Sequence, residues 1–578
     1  KVFSYVPGPN IPGRAWGLAN FLNNGSSRSG YDQFLTKLDY RINTKNNVYF
    51  SYGRTPYQEF ADILIAADSP AEPSRSNPTE RQYFRWVLDW TSTLNPSTVL
   101  NMRWGMARYR NTRGSPPADG FDPRQLGMAS SLVSQFSTLN FPRFDIGPGR
   151  YTSVGSSIYR DLNIRENSSY QLNLNRTQGR HQIKMGGEFR LFNENTVAPG
   201  NSSGYYLFDK GFTQANPLRG DAVSGDEFAT FLLGYPTASS SYVQYLIDPA
   251  RQARYYAVFL HDDFKIHKRV TLNLGFRWDY ERPYAERYNR MVRGFAFDQP
   301  SPIASKVPSL NLKGGLLFAG STGESRLSFN PDRNNFQPRI GVAVQVGPKW
   351  VMRGGYGLSY LGGGYPQPFT GFSTNTPVLA SLDVGIPYAN MVNPFPDGVL
   401  KPVGSKDGLA TLLGQGVSFG YLDRGLPYSH QYSFSIERAL PWSMVAEAAF
   451  SGNETRGVGL GVELNHIPRD QMGKADTWYS EKVANPLAGL LPLNPTKNGA
   501  TIARQDLLVR FPQYSSVVMT DVPIARNHYH SGQFALRKNY THGMTLNITY
   551  TIGKTLEELN LLNSQDYIFD NFRDTALE

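Results

Sequence analysis

The sequence predicts an all-β protein, a transmembrane antiparallel β-barrel with short periplasmic turns and long extracellular loops. Three observations predict it: strands that alternate apolar and polar residues, tight turns that join those strands in pairs, and long loops between the pairs. Successive residues of a strand point to opposite faces. A face that stays apolar along a strand long enough to cross a bilayer is typical of a strand facing lipid.

The alternation is clearest at 271–280 (TLNLGFRWDY), where Leu, Leu, Phe, Trp and Tyr share one face and polar residues share the other. The stretch 544–553 (MTLNITYTIG) repeats this pattern. Four further stretches alternate in the same way, at 84–90, 100–106, 183–191 and 340–346.

Seven hairpins follow from turns rich in Gly, Asn, Pro and Lys, the residues that tight reversals require. These turns lie near 43–47, 94–98, 176–181, 265–270, 347–350, 439–443 and 540–543. Between them are long, irregular stretches rich in Pro and Gly, at 55–81, 111–168, 193–252, 281–335, 361–429 and 453–527. Short turns on one side and long loops on the other are the asymmetry of outer-membrane barrels. Seven hairpins give fourteen strands, and the loops could contain more.

One loop contains a helical signal at 224–234 (SGDEFATFLLG). Ser224 and Glu227 have the spacing of a capping box, and Gly234 is a typical C-terminal stop. We expect a short helix here, with a strand as the alternative.

Composition limits the class of protein. Mean hydropathy is −0.42, and no run of eighteen apolar residues exists, which excludes helical membrane spans. Aromatic residues make up 13% of the chain, and Tyr and Trp favour the membrane–water interface. A soluble β-sandwich array or propeller is the alternative, but no repeat of fixed period appears.

Charge and cysteine content exclude further classes. The chain has no cysteine, hence no disulfide and no thiolate metal site. Its net charge is +11, but the cations are scattered, and no basic cluster or recognition helix indicates nucleic acid.

The ends of the chain lead to an expectation about its organisation. Residues 1–4 (KVFS) do not resemble the apolar core of a signal peptide, and 570–578 (DNFRDTALE) is polar loop sequence. We therefore expect residues 1–578 to be one β-barrel domain taken from a longer protein, lacking an upstream domain and the last barrel strands.

Few residues suggest chemistry. His261 and Asp263 share a strand face that Asp262 cannot reach, so the three do not converge. His528 and His530 share a face and could bind a cation, but two histidines need further ligands. No nucleophile elbow, zinc-binding helix or phosphate-cradling loop is present. We expect no catalytic residue, no metal, no cofactor and no enzymatic activity.

Two groups of residues are candidates for ligand binding. The loop 361–372 (LGGGYPQPFTGF) carries Tyr365, Phe369 and Phe372, which we expect to be exposed; such rings could stack on sugars or peptides, or pack on one another to order the loop. Arg277 and Arg353 lie on polar strand faces. They could attract an anionic substrate, or pair with acids such as Asp279.

Several stretches, in order, resemble the Oar-like branch of TonB-dependent outer-membrane transporters. They cover most of the chain, at 7–21 (PGPNIPGRAWGLANF), 31–54, 226–236 (DEFATFLLGYP), 254–283 (with TLNLGFR), 335–360, 426–457 and 527–556. The resemblance implies a complete barrel of about 22 strands, filled by an N-terminal plug and preceded by a carboxypeptidase-regulatory-like domain. Neither the plug nor that domain is visible in this sequence.

The resemblance also implies a function. A TonB-dependent receptor of the bacterial outer membrane would take up a large solute, such as an oligosaccharide, peptide or siderophore, with TonB acting on the plug. Its partners would be outer-membrane lipid, the TonB complex and a possible surface lipoprotein or other outer-membrane protein. A surface protein that displays its loops for adhesion or assembly is the alternative, and a diffusion porin the third.

Overall fold

The computed structural model describes residues 1–14, 19–60, 63–66, 68–73, 77–216, 219–238, 240–321, 323–362, 369–383, 385–541 and 543–557. Within these ranges, no helix combines the length and the hydrophobicity needed to cross a bilayer.

Strands dominate the described chain. In order they are β1 Arg28–Tyr31, β2 Phe34–Arg41, β3 Asn46–Phe60, β4 Thr79–Asn95, β5 Thr98–Arg113, β6 Arg143–Ile146, β7 Asp161–Gln178, β8 His181–Val197, β9 Tyr205–Phe208, β10 Tyr242–Tyr245, β11 Ala250–His267, β12 Val270–Glu286, β13 Val292–Phe295, β14 Leu316–Phe318, β15 Asn335–Val346, β16 Trp350–Tyr360, β17 Thr374–Pro377, β18 Ser381–Asp383, β19 Ile386–Pro387, β20 Gly416–Gly420, β21 Tyr428–Leu440, β22 Met444–Glu463, β23 Lys482–Ala484, β24 Thr501–Ala503, β25 Ser516–Thr541 and β26 Met544–Glu557.

Helices are short and lie in the loops. The α-helices are α1 Ser130–Val133, α2 Glu227–Leu233, α3 Asp476–Ser480, α4 Pro495–Asn498 and α5 Gln505–Leu508. Single 3₁₀ turns occur at Val2–Tyr5, Pro123–Leu126, Gly211–Thr213, Ala304–Lys306, Gly408–Ala410 and Arg469–Gln471.

One 16-stranded sheet forms the wall of the molecule. Fourteen of its strands are seven consecutive antiparallel hairpins: β2–β3, β4–β5, β7–β8, β11–β12, β15–β16, β21–β22 and β25–β26. Each hairpin turns where the sequence predicted a turn, so the prediction of seven hairpins is confirmed. Within the described strands β2 and β26 do not pair with each other, and the sheet is open between them. The count of about 22 strands stays a prediction.

The two faces of this sheet differ as the alternation predicted. Apolar side chains on one face are about half exposed, among them Val258 at 52%, Phe276 at 48% and Phe534 at 54%. Polar side chains on the other face are covered, including Asp89 and Asp279. In an outer-membrane barrel the polar face encloses the lumen. We therefore name it the lumenal face.

The long loops are more ordered than the sequence indicated. They pack into two hydrophobic clusters at the end of the sheet opposite the short turns. The first loop cluster is centred on Phe141, Phe144, Tyr206 and Phe208. The second is centred on Phe295, Phe318, Phe419, Phe511 and Tyr514. Strands β17, β10, β9 and β6 form a separate four-stranded sheet in the loops, so the expectation of irregular loops was wrong.

The helix predicted at 224–234 is confirmed as α2, but its N-cap is Asp226 and not Ser224. The Asp226 carboxylate accepts hydrogen bonds from the backbone amides of Phe228 and Ala229 at 2.8 and 3.1 Å. Gly234 ends the helix in the left-handed conformation, as predicted.

Candidate functional site

The lumenal face of β7 to β15 carries a network of paired charges around Arg277. The Arg277 Nε lies 2.7 Å from the Asp279 Oδ1, and its Nη2 donates to the Tyr255 hydroxyl at 2.6 Å. Gln337 on β15 donates to the other Asp279 oxygen at 2.6 Å. Glu188 lies 3.6 Å from the Arg277 Nη2. The Arg277 side chain is thus held on several sides and does not project freely.

Arg353 lies on the lumenal face of β16, where it forms an ion pair with Glu437 on β21. Both arginines proposed for anion binding therefore have acidic partners within the sheet. Arg103 is held in the same way by Asp89 at 2.7 Å. Paired charges lining a wall stabilise its geometry, but they leave little positive charge for a solute.

The acidic segment of β11 divides between the two faces as the alternation predicted. His261 Nε2 and Asp263 Oδ1 are 3.0 Å apart on the lumenal face. Asp262 contacts His181 Nδ1 at 2.7 Å on the opposite face. His528 comes no closer than 3.9 Å to Glu454. No group of three or more acidic or histidine side chains in the described ranges is placed to hold a metal ion.

The loop aromatics are less available than predicted. Tyr365 lies outside the described residues. Phe372 is buried in the second loop cluster, where its ring meets Phe318 edge-on at 5.6 Å. The expectation that Phe372 is exposed was wrong, because the loop folds back onto neighbouring loops. Phe369 packs at the edge of that cluster, with the Arg251 guanidinium 5.7 Å above its ring.

Two recesses in the lumenal face were not predicted. One of about 610 Å³ is lined by residues of β11, β12, β15, β16, β21, β22 and β25. Another of about 430 Å³ is lined by residues of β7, β8, β11, β12 and β15. His261 and Arg339 line both. Arg339 could have been placed on the polar face of its strand from the alternation, but its neighbours depend on the strand register.

The first loop cluster holds a further cavity of about 420 Å³. Its lining is mainly apolar, including Phe3, Leu64, Ile65 and Val154, with Arg150 as the charged member. Arg150 is already paired with Glu227 on α2 at 2.6 Å. Hydrogen bonding to Glu227 raises the pKa of Arg150.

Comparison with solved structures finds proteins of similar fold at low sequence identity. The outer membrane transporter YddB from Escherichia coli aligns with a TM-score of 0.48 and 10% identity, over 92% of this chain and 49% of that chain. The alcaligin outer membrane receptor FauA from Bordetella pertussis aligns with a TM-score of 0.39 and 8% identity, over 94% of this chain and 55% of that chain. The ferric yersiniabactin uptake receptor FyuA from Yersinia pestis aligns with a TM-score of 0.40 and 8% identity, over 92% of this chain and 52% of that chain.

The chain spans about half the length of these structures. No curated protein sequence matches it. The family model described as outer membrane beta barrel domain matches residues 1–578. Because that model matches all 578 residues, the chain belongs to the outer membrane beta barrel domain family and is a protein of the bacterial outer membrane.

Proposed function

We propose that the chain is the barrel of a non-catalytic, TonB-dependent receptor that takes up a large solute. The observation that carries this proposal is the combination of two features in one molecule. One is a wall with a polar lumenal face, and the other is the pair of loop clusters, which together form an ordered cap at one end of the wall. A cap of this kind can present a fixed binding surface, because its loops are already folded before a solute arrives.

The wall supports the same function. In the outer membrane, the apolar outer face would contact lipid, and the lumenal face would surround a water-filled or plugged interior. A plug, as the Oar-like resemblance implies, would connect the barrel to the TonB complex. Oligosaccharide, peptide and siderophore remain the solute classes under this proposal.

Solute depletion tests the proposal. Cells with and without the receptor, each with and without TonB, are grown in a mixture of oligosaccharides, peptides and ferric siderophores. Mass spectrometry of the medium should show at least one solute whose removal requires both proteins. Restoring TonB from a plasmid is the matched control and should restore removal. Removal that needs the barrel but not TonB would instead indicate a diffusion porin.

A second function, assembly with a surface lipoprotein or another outer-membrane protein, is favoured by apolar residues on the cap. Val223, Leu232, Leu233 and Val392 are 95%, 66%, 55% and 57% exposed. Replacing Leu232 with Asp should reduce co-purification of such a partner without changing barrel folding. If the full-length protein purifies from mild detergent without any partner, this second function is contradicted.

A further inference from the structure

Arg339 differs from the other arginines described above on the lumenal face. Arg103, Arg277 and Arg353 each have a carboxylate partner. Arg339 instead donates a long hydrogen bond from its Nη2 to the Ser359 hydroxyl, at 3.4 Å. Within the described part of the chain, no carboxylate oxygen lies within 4.0 Å of its guanidinium. Its charge is therefore not neutralised by the wall.

The strand register places a glycine on each side of this arginine. Arg339 on β15 is directly opposite Gly275 on β12 and Gly357 on β16. Neither glycine has a positive φ, so neither is required by the backbone conformation. A Cβ added to Gly275 would lie 3.3 Å from both the Arg339 Cβ and the His261 Nδ1. A side chain at Gly275 would therefore crowd Arg339 and His261, and the two glycines leave space beside the arginine.

That space consists of the two recesses that share Arg339 and His261. Volumes of about 610 and 430 Å³ are in the range of small-molecule sites, about 300–1,000 Å³. Polar groups that can donate hydrogen bonds, Asn273 and Ser359, line the larger recess. Lys184 lines the smaller one, and among the described residues it too has no carboxylate partner.

The acids nearby are already engaged. Glu188 also lines the smaller recess, but it pairs with Arg190 and Arg277. Asp263 is bound to His261 and accepts a hydrogen bond from Asn273. The charge left at the junction of the recesses is therefore positive. A guanidinium matches the two oxygens of a carboxylate or a phosphate in one plane.

We propose that Arg339 binds a carboxylate or phosphate group of the transported solute at the junction of the two recesses. The inference rests on the proposed function as a solute receptor and gives that function a chemical class of solute. The anion-binding role that the sequence suggested for Arg277 and Arg353 is thus assigned to Arg339, whose neighbours on the adjacent strands are glycines.

Calorimetric titration of the full-length protein in nanodiscs tests the proposal, with citrate and inorganic phosphate as separate probes. The wild-type protein should bind at least one of them, and the stronger probe distinguishes a carboxylate from a phosphate solute. Arg339→Gln should weaken binding about tenfold or more, because a hydrogen-bonded charge pair is lost. Gly357→Leu should also weaken binding while keeping the arginine, because its side chain fills the larger recess.

The matched control is Arg353→Gln, which removes a paired arginine from the same face and should change affinity by less than about twofold. Equal losses of affinity in Arg339→Gln and Arg353→Gln would show that the anion responds to the overall positive charge of the lumenal face, and would overturn the proposal. So would wild-type protein that binds neither probe. Binding of an acidic peptide but of neither small anion would assign the site to a protein segment in the lumen, which also overturns it. TonB-dependent depletion of a solute in that case would leave the proposed function standing.

Discussion

The lumenal face has two unlike halves. From β4 to β12 it carries paired charges, such as Asp89 with Arg103 and Arg277 with Asp279. From β15 to β26 a row of small residues crosses six neighbouring strands in direct register: Gly341, Gly355, Ser433, Ser451, Ser531 and Gly553. The first part, which we call the charged half, is filled by its own side chains. The second part, the small half, is nearly bare backbone along this row, with ion pairs such as Arg353–Glu437 lying beside the row.

The difference shows two ways to build the same wall. In the charged half, side chains bridge neighbouring strands and satisfy one another, so the surface is largely complete without an occupant. Along the row of small residues in the small half, the strands are joined by backbone pairing, and space is left for another molecule. Arg339 lies where the two halves meet, which is why it has both charge and room.

The largest expected effect tests whether the face assigned as lumenal is inside. Leu274 points outward and is 39% exposed, whereas its neighbour Asn273 lines a lumenal recess. Leu274→Arg should cost about 2–4 kcal/mol in a bilayer, and Asn273→Arg much less. Folding yields in lipid vesicles, read from heat-modifiable gel mobility, measure both. Equal yields would contradict the assignment of faces, and with it the comparison of halves.

A smaller effect tests the charged half directly. Asp279→Ala removes the acceptor of both Arg277 and Gln337, and should lower the free energy of unfolding by about 1.5–3 kcal/mol. Ser433→Ala in the small half is the control, with an expected change of about 0.5 kcal/mol or less. Urea unfolding of the folded protein in vesicles gives both values. A larger loss at Ser433 would mean that the small half also depends on its side chains.

Glycine substitutions sharpen the comparison further. An added Cβ at Gly186 in the charged half would collide with the Leu172 carbonyl oxygen and lie 2.8 Å from the Phe259 ring. At Gly355 in the small half, the nearest atom would be the Ser433 hydroxyl oxygen at 3.7 Å. Gly186→Ala should therefore destabilise by about 1–3 kcal/mol. Gly355→Ala should leave the melting temperature nearly unchanged, and similar shifts for both variants would count against the difference in packing.

The smallest effect should be confined to the loop cap and leave both halves of the wall unchanged. Burial raises the pKa of Asp145, but hydrogen bonds from Arg143, Ser153 and Tyr205 outweigh it and hold that pKa below the ordinary value of 3.8. Since the folded form has the lower pKa, its stabilising contribution is complete above pH 3.8. The contribution is lost as the pH falls through the lowered value.

Hydrogen exchange of β9 measures this effect. Protection should fall below pH 3.8 in the wild-type protein, while Asp145→Asn should show weaker protection and no such dependence. The Tyr205 hydroxyl, whose pKa burial and Asp145 raise to about 12, stays protonated throughout this range. Loss of wall protection in the same pH range would contradict a local origin in the cap.

Strand pairs and faces could be predicted from the sequence, because hairpin turns and alternation are local signals. Leu274, Asn273 and Arg277 fall on the faces that the pattern assigned to them. Cross-strand neighbours could not be predicted, because they depend on register across separate hairpins. The pairing of Arg353 with Glu437 and the position of Arg339 opposite Gly275 are both of this kind.

The loop cap was beyond prediction for a related reason. Gln513 donates to the Lys313 carbonyl oxygen across 200 residues of chain, and Val399 donates to the Gln135 side chain across 264. Contacts at that separation leave no pattern in a local stretch of sequence. The burial of Phe372 follows from such contacts, which is why its exposure was misjudged.

The pairing of β20 with β25 determines when the cap can form. These strands run parallel, with Gly416 opposite Ser516, so the partners are 100 residues apart in the chain. Most hairpins of the wall can close as soon as their two strands are present, whereas the second loop cluster needs residues from Val292 to Val517. Because long loops close slowly, we expect the cap to be the last part to order. A newly inserted barrel would then pass through a stage in which its wall is complete and its entrance is still open to proteases.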